Sequence, residues 1–115
     1  MNAEALSRRW FLCAITYFVI GIGLGVYMGA TGSHLLSSVH THISLVGWVS
    51  MGLTGLLYRS FPAAAQSALA IWHFWMYQLA APAMLLAVAA VLAVVLRSSS
   101  SLARTLLSVR KQKTK

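Results

Sequence analysis

Three long runs of this chain carry no charge, and nothing else in it constrains the fold as strongly. They cover approximately residues 10–30, 36–58 and 71–96, with Arg59 closing the second. Each approaches or exceeds the roughly 20 residues an α-helix needs to cross the hydrocarbon of a bilayer. In a chain of 115 residues, 59% hydrophobic and 9% charged, little polar surface is left for a soluble domain, where about a quarter of the residues are charged. The expected architecture is all-α: an integral membrane bundle of three transmembrane helices in a single domain, residues 1–97, that assembles as an oligomer. A basic tail, residues 98–115, is expected to be disordered or interfacial, with Leu102, Leu106, Leu107 and Val109 available for a short surface helix.

The connections between the runs are short. Thr31-Gly32-Ser33 interrupts the first and Phe61-Pro62 the second, through the glycine and proline effects on helix termini. Consecutive helices are therefore expected to be antiparallel neighbours, and Pro82 is expected to kink the third.

The net charge of +8 would suggest a nucleic-acid partner in a soluble protein. Its placement argues for membrane end-caps instead. Arg8 and Arg9 precede the first run, Arg59 lies between two runs, and Arg97, Arg104, Arg110, Lys111, Lys113 and Lys115 follow the third. Such residues remain at the headgroups while the flanked segments enter hydrocarbon. Counting six cations on the tail side against three on the other places the C-terminus in the cytoplasm. The string from Ser7 to Leu12 also matches a twin-arginine export pattern, but the run after it is long enough to span, so an uncleaved first helix is expected. Cys13 is alone, which excludes an intrachain disulfide and a cysteine metal cluster.

Gly21, Gly25 and Gly29 recur every fourth residue on one face of the first helix. In lipid, where the hydrophobic effect gives helices little reason to associate, such small residues allow close backbone approach. This face suits either an intrachain contact or an oligomer seam. Trp10, Phe11, Tyr58, Phe61, Trp72 and Trp75 gather at the end shared by the N-terminus and the second loop, as an aromatic belt does.

Four histidines remain: His34, His40, His42 and His73. His34 belongs to the first loop and His73 to the start of the third helix, where solvent and headgroups accommodate them. His40 and His42 fall inside the second run, where an ionisable side chain is costly and marks a candidate functional site. Neutral imidazoles satisfied by Ser37, Ser38, Thr41 or Ser44 are the structural alternative. Two positions apart on a helix point about 200° apart, so His40 and His42 cannot both ligate one iron. They can serve two sites. Each imidazole is a suitable axial ligand for haem, and Gly47, Gly52 and Gly55 are expected to leave room for the macrocycle. Met28 and His34, near the same end, are lesser candidates. His73, most of a helix away, cannot complete the same site within one chain.

The string Val39-His40-Thr41-His42-Ile43, followed by Gly47-Trp48-Val49-Ser50 and by Gly55 through Pro62, resembles the haem-ligating helices of subunit I in haem-copper oxidases. It is most similar to the branch that contains C-type cytochrome oxidases and nitric oxide reductases, and Trp72-His73-Phe74-Trp75 resembles the start of the following helix. The resemblance implies a b-type cytochrome of the bacterial inner membrane that possesses haem b, with His40 and His42 as axial ligands to its iron; no copper is expected, because the sequence departs from the family in lacking a second histidine-rich helix. It implies action in electron transfer or in O2 or NO binding. It also implies a homo-oligomer, such as a trimer, with haem at or near subunit interfaces, and an N-terminus in the cytoplasm, against the charge count. Whether the chain is an oxidoreductase in its own right stays open, because no second histidine-rich helix supplies copper ligands and no membrane carboxylate supplies a proton path. Two further readings remain: a non-catalytic accessory or assembly subunit of a terminal respiratory oxidase, and a small copper- or haem-handling protein that uses His34, His40 and Met28.

Overall fold

The computed structural model describes residues 2–113. Met1, Thr114 and the tail cation Lys115 lie outside the described residues. The described residues are helical almost throughout, with no strand among them. Helix α1 (Ala3–Thr31) starts where Asn2 caps it: the Asn2 side chain accepts the Ala5 N–H at 2.8 Å. Glu4 adds an acid in the first turn, where the helix dipole favours one. The helix stops at Gly32, whose φ of 63° is left-handed, a conformation that glycine adopts without steric cost.

A tight turn, closed by the Ser37 N–H donating to the His34 carbonyl at 3.1 Å, leads to the middle helix. It consists of α2 (Ser37–His42), a π-helical stretch (Ile43–Ser50) and α3 (Met51–Ser60), joined without a break. Together they extend roughly 35 Å at 1.5 Å per residue. One turn, α4 (Pro62–Ala65), has proline at its first position, where the missing N–H costs nothing. Helix α5 (Ala68–Lys113) follows, with the Ser67 hydroxyl accepting the Ala70 N–H at 3.3 Å. Both α1 and α5 are long and apolar enough to cross a bilayer.

Antiparallel pairing of α1 with the middle helix forms the core of the fold, and its register follows from glycines. A Cβ added to Gly21 would meet Ile43 and Ser44, one added to Gly25 would meet His40, and one added to Gly55 would meet Trp10, Phe11 and the Ser7 backbone. The ring of Tyr17 occupies the space where a Gly47 side chain would stand. The Ser7 hydroxyl donates to the Gly55 carbonyl at 2.8 Å in a buried contact. On α1 the buried residues Ser7, Trp10, Ala14, Gly21 and Met28 follow steps of three, four and seven, which place them on one stripe of the helix. Gly29 meets nothing within 4 Å, so of the three glycines read as one face, two serve the intrachain contact.

The π stretch explains how the middle helix presents its side of that seam. Ile43, Gly47, Met51 and Gly55 are all buried and spaced by four. In an α-helix such a row drifts by about 40° per step, so its ends would turn away from α1. Widening to about 4.4 residues per turn in the first half reverses the drift. The row therefore stays against α1 over its whole length.

Helix α5 packs against the pair through Ala70, Phe74 and Ala81, which are buried. The Tyr77 hydroxyl donates to the Val46 carbonyl, inside the π stretch, at 3.0 Å. Pro82 lies within α5 without ending it, although its ring leaves the Gln78 carbonyl without an i+4 donor. Beyond the expected span, α5 continues as helix to Lys113, where a disordered or interfacial tail was expected. Serines do not break it, because Ser99, Ser100 and Ser101 donate to carbonyls three residues back at 2.8–2.9 Å. At 46 residues the helix is roughly 70 Å long, and it accounts for the longest dimension of the molecule, 76 Å.

Candidate functional site

The two central histidines occupy different environments. The His40 ring points its Cε1 at α1, 3.2 Å from where a Cβ would stand on Gly25. Glycine at that position is what admits the ring. Its Nδ1 is buried with no hydrogen-bond partner, a state that costs free energy when a polar atom leaves water.

The His42 ring is held by its own helix. Nδ1 lies 2.7 Å from the Ser38 carbonyl one turn back. A carbonyl oxygen only accepts, so Nδ1 carries the hydrogen, and the neutral ring presents the Nε2 lone pair outward. Ring nitrogens that bind a metal are oriented by this kind of second bond. Ser38 also lines an apolar groove of about 450 Å3, whose other wall is α5 from Met84 to Val95.

The remaining candidates are dispersed. His34 is exposed in the turn, Tyr27 is exposed, and Met28 is buried on the seam of α1. His73 sits at the opposite end of the pair, where its Nδ1 is 2.8 Å from the Tyr58 hydroxyl and its ring centroid 5.1 Å from that of Trp10. Phe74 and Tyr77 complete a cluster around Trp10, which is fully buried. The Nε1 of Trp10 has no hydrogen-bond partner. Among the described residues, no three His, Cys, Asp or Glu side chains form a group able to hold a metal ion.

One expectation about the site needs correction. Gly47 and Gly55 do not leave space for a macrocycle, because Tyr17 fills the first notch and Trp10 with Ser7 the second. Only Gly52 stays open, above an apolar groove shared with Phe11, Trp48 and Leu56. The sequence suggests an aromatic belt for Trp10 and no role for Tyr17, whereas Trp10 is buried and both rings face the middle helix. The three- and four-residue spacing of Ser7, Trp10, Ala14, Tyr17 and Gly21 was the available signal that these rings face the same partner. The sequence reading also missed the π stretch and the Tyr77–Val46 bond.

Comparison with known protein families, with curated proteins and with solved structures finds no match to this chain.

Proposed function

We propose that this chain is a three-span protein of the bacterial inner membrane that binds b-type haem through His42, with His40 as the second candidate ligand. Its role is electron transfer or the binding of O2 or NO. The observation that carries this reading is the bond between His42 Nδ1 and the Ser38 carbonyl at 2.7 Å. It fixes the tautomer that a haem ligand requires, and the Ser38 that holds it also lines the apolar groove against α5.

His42 fits the role as it stands. His40 fits only if its ring leaves the Gly25 notch, and its unpartnered Nδ1 reduces the cost of leaving. The haem would supply one-electron exchange, or a free axial position for a diatomic gas. The chain supplies an imidazole oriented by the Ser38 carbonyl and the apolar groove that Ser38 shares with α5. One His42 per chain offers one axial ligand on that face, so a second ligand of the same kind would come from another copy. That argues for a homo-oligomer, with a trimer as the form implied by the resemblance to subunit I. Six tail cations against three still oppose the N-inside orientation which that resemblance implies.

One observation favours a second reading. His40 already has a packing role against Gly25, so histidine in this helix can be structural, and the chain would then be an accessory subunit of a respiratory oxidase without haem of its own. An absorption spectrum of protein purified in mild detergent, after expression with ample haem, separates the two. We expect a Soret band that His42→Ala removes and His73→Ala retains; a colourless protein that co-purifies in fixed ratio with larger chains would establish the second reading. Addition of CO to the reduced form then distinguishes gas binding, which shifts the spectrum, from six-coordinate electron transfer, which does not.

A further inference from the structure

At the end of the pair opposite His40 and His42, two cations from different elements line one cleft. Arg8 of α1 and Arg59 of α3 line a space of about 580 Å3, together with Glu4, Asn2 and Phe11. Both guanidinium-bearing residues are exposed, and among the described residues neither has an ion-pair partner. Directly along the same face lies a second, apolar groove of about 310 Å3 lined by Phe11, Trp48, Gly52, Leu53 and Leu56. Phe11 lines both, so the charged cleft and the apolar groove adjoin at its ring. Gly52 forms the groove floor, where an added Cβ would meet nothing within 4 Å.

A polar head of negative charge joined to a hydrocarbon chain matches this sequence of surfaces. We propose that the cleft and groove form a binding site for one anionic phospholipid, with its phosphodiester between Arg8 and Arg59 and an acyl chain along Gly52. Guanidinium groups bind phosphate oxygens through paired N–H donors, and basic pockets between membrane helices are sites for acidic headgroups. Glu4 makes the lining singly positive overall. The site depends on the bilayer placement proposed above and is independent of haem, so a colourless protein leaves it untouched.

Native mass spectrometry of the full chain, released from nanodiscs of equal phosphatidylglycerol and phosphatidylcholine with identical acyl chains, tests the assignment. One phosphatidylglycerol per chain should be retained in preference to phosphatidylcholine. Arg8→Gln and Arg59→Gln should each reduce that preference about fivefold, as expected for one cation near the headgroups. Arg9→Gln, which removes the neighbouring cation outside the cleft, should leave it unchanged. Gly52→Leu should lower retention by a similar factor through the acyl groove, with the thermal midpoint of the variant confirming that it is folded. Equal retention of the two lipids overturns the proposal, as does an Arg9→Gln loss equal to those of Arg8 and Arg59. Phosphatidylethanolamine bound as well as phosphatidylglycerol overturns the anionic assignment. Displacement by millimolar inorganic phosphate overturns the lipid in favour of free phosphate.

Discussion

At the second-loop end of the helix pair, His73 has a side-chain partner, the Tyr58 hydroxyl, and three aromatic neighbours. At the first-loop end, His42 has only a backbone carbonyl of its own helix, and His40 has a glycine notch. The same residue type is thus stabilised by packing and a phenol at one end and by local backbone at the other. The difference lies in what each ring leaves unused. His73 and Tyr58 satisfy one another, and with Phe74 and Tyr77 they surround a buried Trp10, which makes that end the structural anchor of the molecule. His42 keeps a nitrogen lone pair directed away from its helix, and that end is where chemistry can be added without dismantling the core.

This contrast can be broken most severely at Trp10. Trp10→Ala empties the centre of the aromatic cluster and should cost about 3 kcal/mol or more, read as a lower thermal midpoint in detergent. A variant as stable as the parent would show that the cluster anchors nothing. Next in size, Gly25→Val should cost about 1–2 kcal/mol, because its side chain collides with the His40 ring. The same substitution should leave the His42 spectrum in place; if the Soret band vanishes instead, His40 is a ligand and the division between the two histidines is wrong. His73→Phe should cost about 0.5–1 kcal/mol by ending the bond to Tyr58 while retaining the ring contacts. Smallest of all, truncation after Leu96 should alter the midpoint by less than about 0.5 kcal/mol, since the helix beyond it is exposed throughout its described side chains. A large loss there would mean that the projecting helix is held by contacts with other copies.

Much of the architecture was legible in the sequence because it depends on local rules. Uncharged runs, a glycine with left-handed φ, and proline at the start of a turn act within a few residues, and they placed the helices. Opposed histidines follow from helical geometry alone, and the rings do lie in different surroundings. The π stretch was beyond reach because it reconciles a four-residue row on one helix with a seam on another, and no property of Ile43 through Ser50 taken alone demands it. The filled notches at Gly47 and Gly55 were missed for a related reason. A glycine read along one helix marks an empty space, and only its partner, here Tyr17 or Trp10, shows what occupies it. The tail continues as helix with its serine hydroxyls turned back to carbonyls three residues earlier, where a disordered or interfacial segment was expected.

The π stretch has a consequence for how the chain can change its length. A deletion of one residue between Ile43 and Ser50 leaves a segment that can close as ordinary α turns, with every backbone bond remade. Eight residues at about 4.4 per turn and seven at 3.6 differ by roughly 45°, so the deletion also rotates all that precedes it by roughly 45° relative to all that follows. With Gly55 kept at Trp10, the His40 ring would turn by that angle out of the Gly25 notch. Substitutions in this segment alter side chains one at a time, whereas a single-codon deletion would turn the whole histidine end against the anchor end. The number of residues between them is therefore under tighter constraint than the identity of most of them.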